Sequence, residues 1–248
     1  MMTVVGLGPG DPRLLTPEAA ESLAAADDLV GYTSYLDRIA LRPGQNRHGS
    51  DNREEIFRAR HALSLAASGR RVAVVSGGDP GVFAMAAAVF EALESGPEDW
   101  RALDIRVVPG ISALLAASAR LGAPLGADFC ALSLSDNLKP WPLVLRRLRA
   151  AAGAGFVLAL YNPASRARPW QLGAALDALR EVLPHGTPVA FATALYRPNE
   201  HISVEPLGSA TGAGVGMSTL VLVGSEGTRR VERPGTSRPW LYTPRSAA

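Results

Sequence analysis

The chain has 248 residues, 47% of them hydrophobic, and its 25 lysines and arginines face 23 acidic residues for a formal net charge of +2. That near-balance argues against nucleic acid as the main partner, and the apolar content is enough for a buried core rather than a disordered chain. No apolar run reaches the roughly 18 residues that a bilayer span needs, so no membrane partner is expected.

In chain order, Thr3–Leu7 reads as a strand, followed by a loop, Gly8 to Leu15. Thr16 caps a helix that has Pro17 at its first position. Asp28–Gly31 reads as a second short strand. Asp51 and Glu54 form an acidic variant of the capping box, opening a helix to about Ser68 whose buried face is Ile56, Ala59, Leu63 and Ala66. Arg71–Val75 is a continuous apolar strand of the kind buried on both faces. Helix Gly81–Leu93, strand Ile105–Val108 and helix Ile111–Leu121 complete a β/α series.

Gly122-Ala123-Pro124-Leu125-Gly126 is the expected boundary between two domains, 1–122 and 127–231. Beyond it come strand Phe129–Ser133, helix Trp141–Ala151, strand Phe156–Tyr161, helix Arg168–Leu183 and strand Val189–Ala194. The helix carries Leu172, Leu176, Leu179 and Leu183 on one side. Short extended runs at His201–Glu205 and Thr219–Gly224, with no long helix between them, predict a mixed second sheet. Residues 232–248 hold Pro234, Pro239 and Pro244 and read as an extended tail. The fold class is therefore α/β, two α/β domains with a ligand cleft between them and at the carboxyl ends of the strands.

Three glycine-rich segments follow three of the predicted strands: Gly6–Asp11, Ser76–Gly81 and Pro109–Ala113. Glycine after a strand lets a ligand approach bare backbone, although any one such loop is as often a simple turn. Three along one sheet edge make a binding rim. The first loop invites comparison with the dinucleotide fingerprint Gly-x-Gly-x-x-Gly, which feeds directly into a helix. Here the third glycine comes one place early, Pro9 stiffens the loop and the helix waits until Thr16, so a nucleotide-binding oxidoreductase is disfavoured.

Gly6–Asp11, Gly77–Phe83 and Gly110–Ala113, in this order and at these distances, resemble the tetrapyrrole (class III) S-adenosylmethionine (SAM)-dependent methyltransferases. Val30–Asp37, Ser50–Glu55, Ser133–Trp141 and Tyr161–Gln171 resemble the branch of that family that methylates carbon 17 of a precorrin in cobalamin (corrin) biosynthesis. The likeness runs from about residue 3 to residue 225. It implies a two-domain fold, a homodimer, SAM as cofactor and a polycarboxylate tetrapyrrole as substrate. It further implies that the macrocycle contracts when it is methylated; the cobalt-containing ring of the anaerobic pathway is the alternative substrate.

Carried over by motif, the resemblance places Pro9, Gly77, Gly78, Asp79, Val82, Ser112 and Ala113 around SAM, with Tyr161, Asn162, Ala194 and Thr219 contributed by the second domain. Gly77 stands where this branch often carries serine. Methyl transfer from a sulfonium needs alignment more than acid–base help, whereas ring contraction needs a proton acceptor and a donor. Ser135, Asp136 and Lys139, packed into one loop after a strand, are the catalytic candidates, Lys139 being the only lysine of the chain. For Asp136 a plain Asx turn is the competing account, and for Asp51, Arg53 and Glu54 a helix start. Arg166 and Arg168 are either carboxylate-binding or a solvated face, and Tyr32 and Tyr35 either stack on the macrocycle or fill a domain edge. Cys130, the single cysteine, reads as core in a reducing cytoplasm. His48, His61, His185 and His201 are scattered and lack ligand spacing, so no metal is expected.

Overall fold

The computed structural model describes residues 1–51, 54–236 and 238–246. The chain divides into two compact units, Met1–Ala113 and Leu114–Ala248. The first unit contains β1 (Met2–Gly6), α1 (Pro17–Ala25), β2 (Asp28–Tyr32), α2 (Thr33–Leu36), β3 (Asn46–Ser50), α3 (Glu55–Ala67), β4 (Val72–Ser76), α4 (Met85–Glu94) and β5 (Ile105–Val108). Its sheet runs β3-β2-β4-β1-β5, with every pair parallel. One face packs Met2, Val4, Val72 and Val74 against α3 and α4. The other packs Val5, Ala73 and Val75 against Ala19 and Leu23 of α1. Burial on both faces is why β1 and β4 read as unbroken apolar runs.

After the division come α5 (Ala113–Leu121), β6 (Gly122–Ala123), β7 (Phe129–Ser133), α6 (Trp141–Gly153), β8 (Val157–Tyr161), α7 (Gln171–Arg180), β9 (Pro188–Thr193), β10 (His201–Pro206), β11 (Thr219–Val223), β12 (Arg229–Val231) and β13 (Trp240–Tyr242). The main sheet of this unit is mixed, in the order β10-β9-β11-β8-β7. β7 and β8 are parallel, while β11 runs antiparallel to both β8 and β9. The carboxyl ends of β7, β8 and β9 and the start of β11 therefore share one edge. Leu172, Leu176, Leu179 and Leu183 all enter the core of this unit. The proline-rich end of the chain carries β13, which pairs with β12 and with β6, the start of the glycine-rich boundary segment. Among the described residues no helix is long and apolar enough to cross a membrane.

Several elements differ from the sequence expectation, each for a local reason. α3 presents Arg58, Ala59, Ala62, Leu63 and Ala66 to the core, and Ile56 is 40% exposed. Arg58 takes the inward place because its guanidinium is satisfied there, by Ser50 Oγ at 2.8 Å and the Asp51 carbonyl at 2.7 Å. The expected capping box does not open the helix: α3 starts at Glu55 with Glu54 at the N-cap and no side-chain cap bond, Glu54 Oε2 instead accepting from the Asp51 N–H at 2.9 Å, and Arg53 lies outside the described residues. α4 starts at Met85 rather than Gly81, because Phe83 holds a left-handed φ of 52° that no helix accommodates. α5 starts at Ala113 rather than Ile111, and α7 runs only from Gln171 to Arg180, Arg168 being drawn into the loop before it. Thr16 caps α1 as expected, its Oγ1 accepting from the Ala19 N–H at 3.2 Å.

The histidines are not all scattered. Asp28, 1% exposed, accepts from Arg70 Nε at 2.6 Å and Asn46 Nδ2 at 3.0 Å, and pairs with His48 Nε2 at 2.9 Å. His48 Nδ1 meets His61 Nε2 at 3.1 Å, so the two rings share a single proton between them. Burial alone would raise the Asp28 carboxyl, but hydrogen bonds from Arg70, His48 and Asn46 outweigh it and hold the group at about 2. Burial, with the nearby His48, lowers His61 below its ordinary value despite the opposing pull of Asp28. The unfolded chain therefore protonates His61 first, and stability is expected to begin falling as pH drops below the usual histidine range. A second loss, of about 2 kcal/mol, is expected as pH falls from 3.8 toward 2 and Asp28 takes its proton. Urea denaturation across this range checks both steps, and His61→Gln should flatten the first alone.

Candidate active site

The three glycine-rich loops leave β1, β4 and β5, which are neighbours in a parallel sheet, so all three emerge side by side at its carboxyl edge. They interlock through backbone. The Gly8 N–H donates to the Gly78 carbonyl at 3.1 Å, and the Gly78 N–H donates to the Gly8 carbonyl at 3.0 Å. A Cβ on Gly6 would stand 2.7 Å from the Gly110 nitrogen and 2.8 Å from the Gly78 oxygen. Asp79 ties two loops together, its Oδ2 accepting from the Gly110 N–H at 3.0 Å and its Oδ1 from the Gly81 N–H at 2.8 Å. Asp79 thus shapes the rim as well as lending it negative charge.

The other expected residues of the first unit lie on the same edge. Pro9 is buried in the first loop, and Val82 is half-buried in the turn after Asp79. Ser112 is buried, and the Ser112 Cα and Ala113 nitrogen would lie 3.6 and 3.7 Å from a Cβ on Gly78. Gly77 is covered by Tyr35, whose Cζ would lie 2.8 Å from a Cβ there. The tyrosine ring fills the space that a serine side chain would take. Tyr32 packs edge-on against Tyr35 at 5.4 Å between centroids. Arg38 donates to the Gly8 carbonyl at 3.5 Å, joining this aromatic pair's segment to the first loop.

In the second unit Tyr161, Asn162, Ala194 and Thr219 share the common edge of β8, β9 and β11. The Leu114 N–H donates to the Tyr161 hydroxyl at 3.0 Å. Asn162 and Ala194 hold left-handed φ values of 52° and 48°, a costly geometry for side-chain-bearing residues that clusters at functional sites. Thr219 is buried, with its Oγ1 2.8 Å from that of Thr193.

The Ser133–Lys139 loop leaves the same edge from β7. The Ser133 hydroxyl accepts from Asn162 Nδ2 at 3.0 Å and from the Ser135 N–H at 3.3 Å. Both Asp136 oxygens accept from Gln171 Nε2, at 3.2 and 3.1 Å. Burial, aided by nearby Arg147, lowers the Lys139 ammonium from its ordinary value, which makes it a better proton donor. Arg168 is not a solvated arginine. It is 5% exposed and donates to the carbonyls of Leu134 at 3.4 Å and Asn162 at 3.2 Å. Arg166 is exposed, and with Pro169, Leu172 and Met217 it lines a cavity of about 630 Å³. Cys130 is half-buried against the core. Nothing local to Gln171 announces its bond to Asp136, a partner 35 positions away.

This site fits a cationic ligand better than a diphosphate. The first loop ends in a short turn, Pro12–Leu14, and α1 begins only at Pro17, so this loop does not feed directly into a helix as a pyrophosphate-binding loop does. The rim instead offers bare glycine backbone and the Asp79 carboxylate, which suits the ammonium and sulfonium of SAM and would repel a pyrophosphate.

Glycine loops at the carboxyl edge of a parallel sheet, with a carboxylate among them, define an α/β protein that binds a small ligand at its strand ends. The chain belongs to the tetrapyrrole (corrin/porphyrin) methylases, whose family model matches residues 1–211. It is 58% identical over 242 residues to a precorrin-3B C(17)-methyltransferase from Sinorhizobium sp, covering 98% of this chain and 95% of that one. It is 38% identical to a probable cobalt-factor III C(17)-methyltransferase from Salmonella typhimurium, covering 92% of this chain and 94% of that one. The crystal structure of the methyltransferase CobJ superposes with a TM-score of 0.93 at 53% identity, covering 98% of this chain and 99% of that one.

Proposed function

We propose that this chain transfers a methyl group from SAM to carbon 17 of precorrin-3B in cobalamin biosynthesis, with contraction of the macrocycle to give precorrin-4. The observation that carries the reading is the near-full-length likeness to the Sinorhizobium enzyme. When bound, SAM supplies an electrophilic methyl group on a sulfonium. The glycine rim at Gly77, Gly78, Ser112 and Ala113, with Pro9 and Val82, admits the cofactor close to the backbone, and Asp79 complements its positive charge. Tyr161, Asn162, Ala194 and Thr219, on one edge of the second unit's sheet, are further proposed cofactor-binding residues. Holding the reactants in line is worth roughly 7–11 kcal/mol of barrier, which explains why positioning groups dominate this residue set. For the contraction, Asp136 accepts the proton of the tertiary hydroxyl, Lys139 supplies a proton elsewhere, and Ser135 hydrogen-bonds the macrocycle. The enzyme works as a cytoplasmic homodimer.

Calorimetry tests the cofactor. SAM is expected to bind with micromolar affinity and NAD not at all; the reverse would establish a nucleotide-binding oxidoreductase. The cobalt-containing ring is a second reading, favoured by the name of the Salmonella relative, but the higher identity to the precorrin-3B enzyme favours the metal-free ring.

A further inference from the structure

Two segments of the second unit, Ser133–Trp141 and Tyr161–Gln171, are locked to each other along their length. Asn162 reaches Ser133, Arg168 reaches Leu134, Gln171 reaches Asp136, and Trp170 packs edge-on against Trp141 at 5.1 Å between centroids. Gln171 differs from the rest of this network. It is 2% exposed, and its amide nitrogen gives both of its hydrogen bonds to one carboxylate, Asp136. Its Oε1 is buried and has no hydrogen-bond partner among the described residues. A buried amide oxygen left unpaired works against stability, so an apolar side chain would serve the fold better at this place. Gln171 opens α7 beside Leu172, one of the core leucines, where an aliphatic residue would be at home.

We infer that Gln171 is a positioning residue for the reaction: its buried amide fixes the orientation of the Asp136 carboxylate, which takes the proton during ring contraction. This rests on the role assigned above to Asp136. A primary amide directing one nitrogen at both carboxylate oxygens holds the direction of the carboxylate and leaves its outer lone pairs for an incoming hydroxyl. It carries no charge and exchanges no proton itself, so Gln171 acts only through Asp136.

Gln171→Met keeps the volume and removes the donor. With the full chain, SAM and precorrin-3B, kcat is expected to fall about 10²-fold, the scale of a misplaced reacting group. Melting temperature should not fall, and KM for SAM should be unchanged. The double variant with Asp136→Asn should be no slower than Asp136→Asn alone, because the two residues act as one unit. Wild-type kcat in Gln171→Met, or losses that multiply in the double variant, would overturn the inference. Should Gln171→Met fail to fold, Gln171→Asn, which withdraws the amide by one methylene, decides in the same way. Failure of the wild-type chain to bind SAM would instead count against the proposed function, and calorimetry reads it separately.

Discussion

Gly110→Ala is expected to weaken SAM binding sharply and to cost the first unit about 3 kcal/mol of stability, combining overpacking with a lost charge-assisted hydrogen bond. The added methyl would run into the Gly78 carbonyl and the Gly6 backbone. Those atoms belong to main chain at the ends of β4 and β1, so no rotamer change relieves the contact. The β5 loop must move out, and the Gly110 N–H then leaves Asp79 Oδ2. With it goes the link that fixes the second loop against the third. Urea denaturation reads the stability and calorimetry reads the affinity, which should fall at least about 10²-fold. A Gly110→Ala variant with unaltered melting and SAM affinity would mean that the three loops do not act as one rim.

The second large effect falls on Arg168. Its guanidinium bridges the carbonyls of Leu134 and Asn162 and reaches Met217 Sδ at 3.6 Å, joining three loops at the edge of the mixed sheet. Arg168→Met leaves buried carbonyls without their donor, a loss of about 3 kcal/mol. It also releases Asn162 from its left-handed conformation, so turnover should fall further than stability alone accounts for. Arg168→Lys should rescue only in part, because one ammonium in the place of Nη1 can donate to both carbonyls but leaves Met217 Sδ without the contact from Nη2. Denaturation midpoints and kcat for the two variants check this, and a fully active Arg168→Lys would contradict it.

The frame of both units is written in local sequence. β1, β4 and β8 are apolar runs closed by glycine or by Tyr161-Asn162, and their order brings the loops to common edges. Helix α1 is announced by Thr16 and Pro17, and the glycine loops by their spacing. What local pattern could not show is where polar residues turn inward. Arg58 displaces Ile56 from the buried face of α3 because Ser50 and Asp51 receive it, and those partners are invisible to periodicity. Strand β3, Asn46–Ser50, has no apolar alternation and exists because it lies at the sheet edge and pairs with β2. The candidate catalytic loop was legible as a cluster of Ser135, Asp136 and Lys139, but its support was not. The Gln171–Asp136 and Arg168–Leu134 bonds join residues 35 and 34 positions apart. Asp79, expected as a cofactor contact, is in the structure the brace between the second and third loops.

The central claim is that this rim delivers a methyl group to one ring carbon. Incubating the chain with precorrin-3B and SAM labelled at its methyl carbon, then locating the label by NMR while following the absorption of the macrocycle, tests it directly. One label per ring is expected, on carbon 17, accompanied by the spectral change of contraction. Label on another carbon, or an unlabelled ring from a chain that binds SAM, would contradict it.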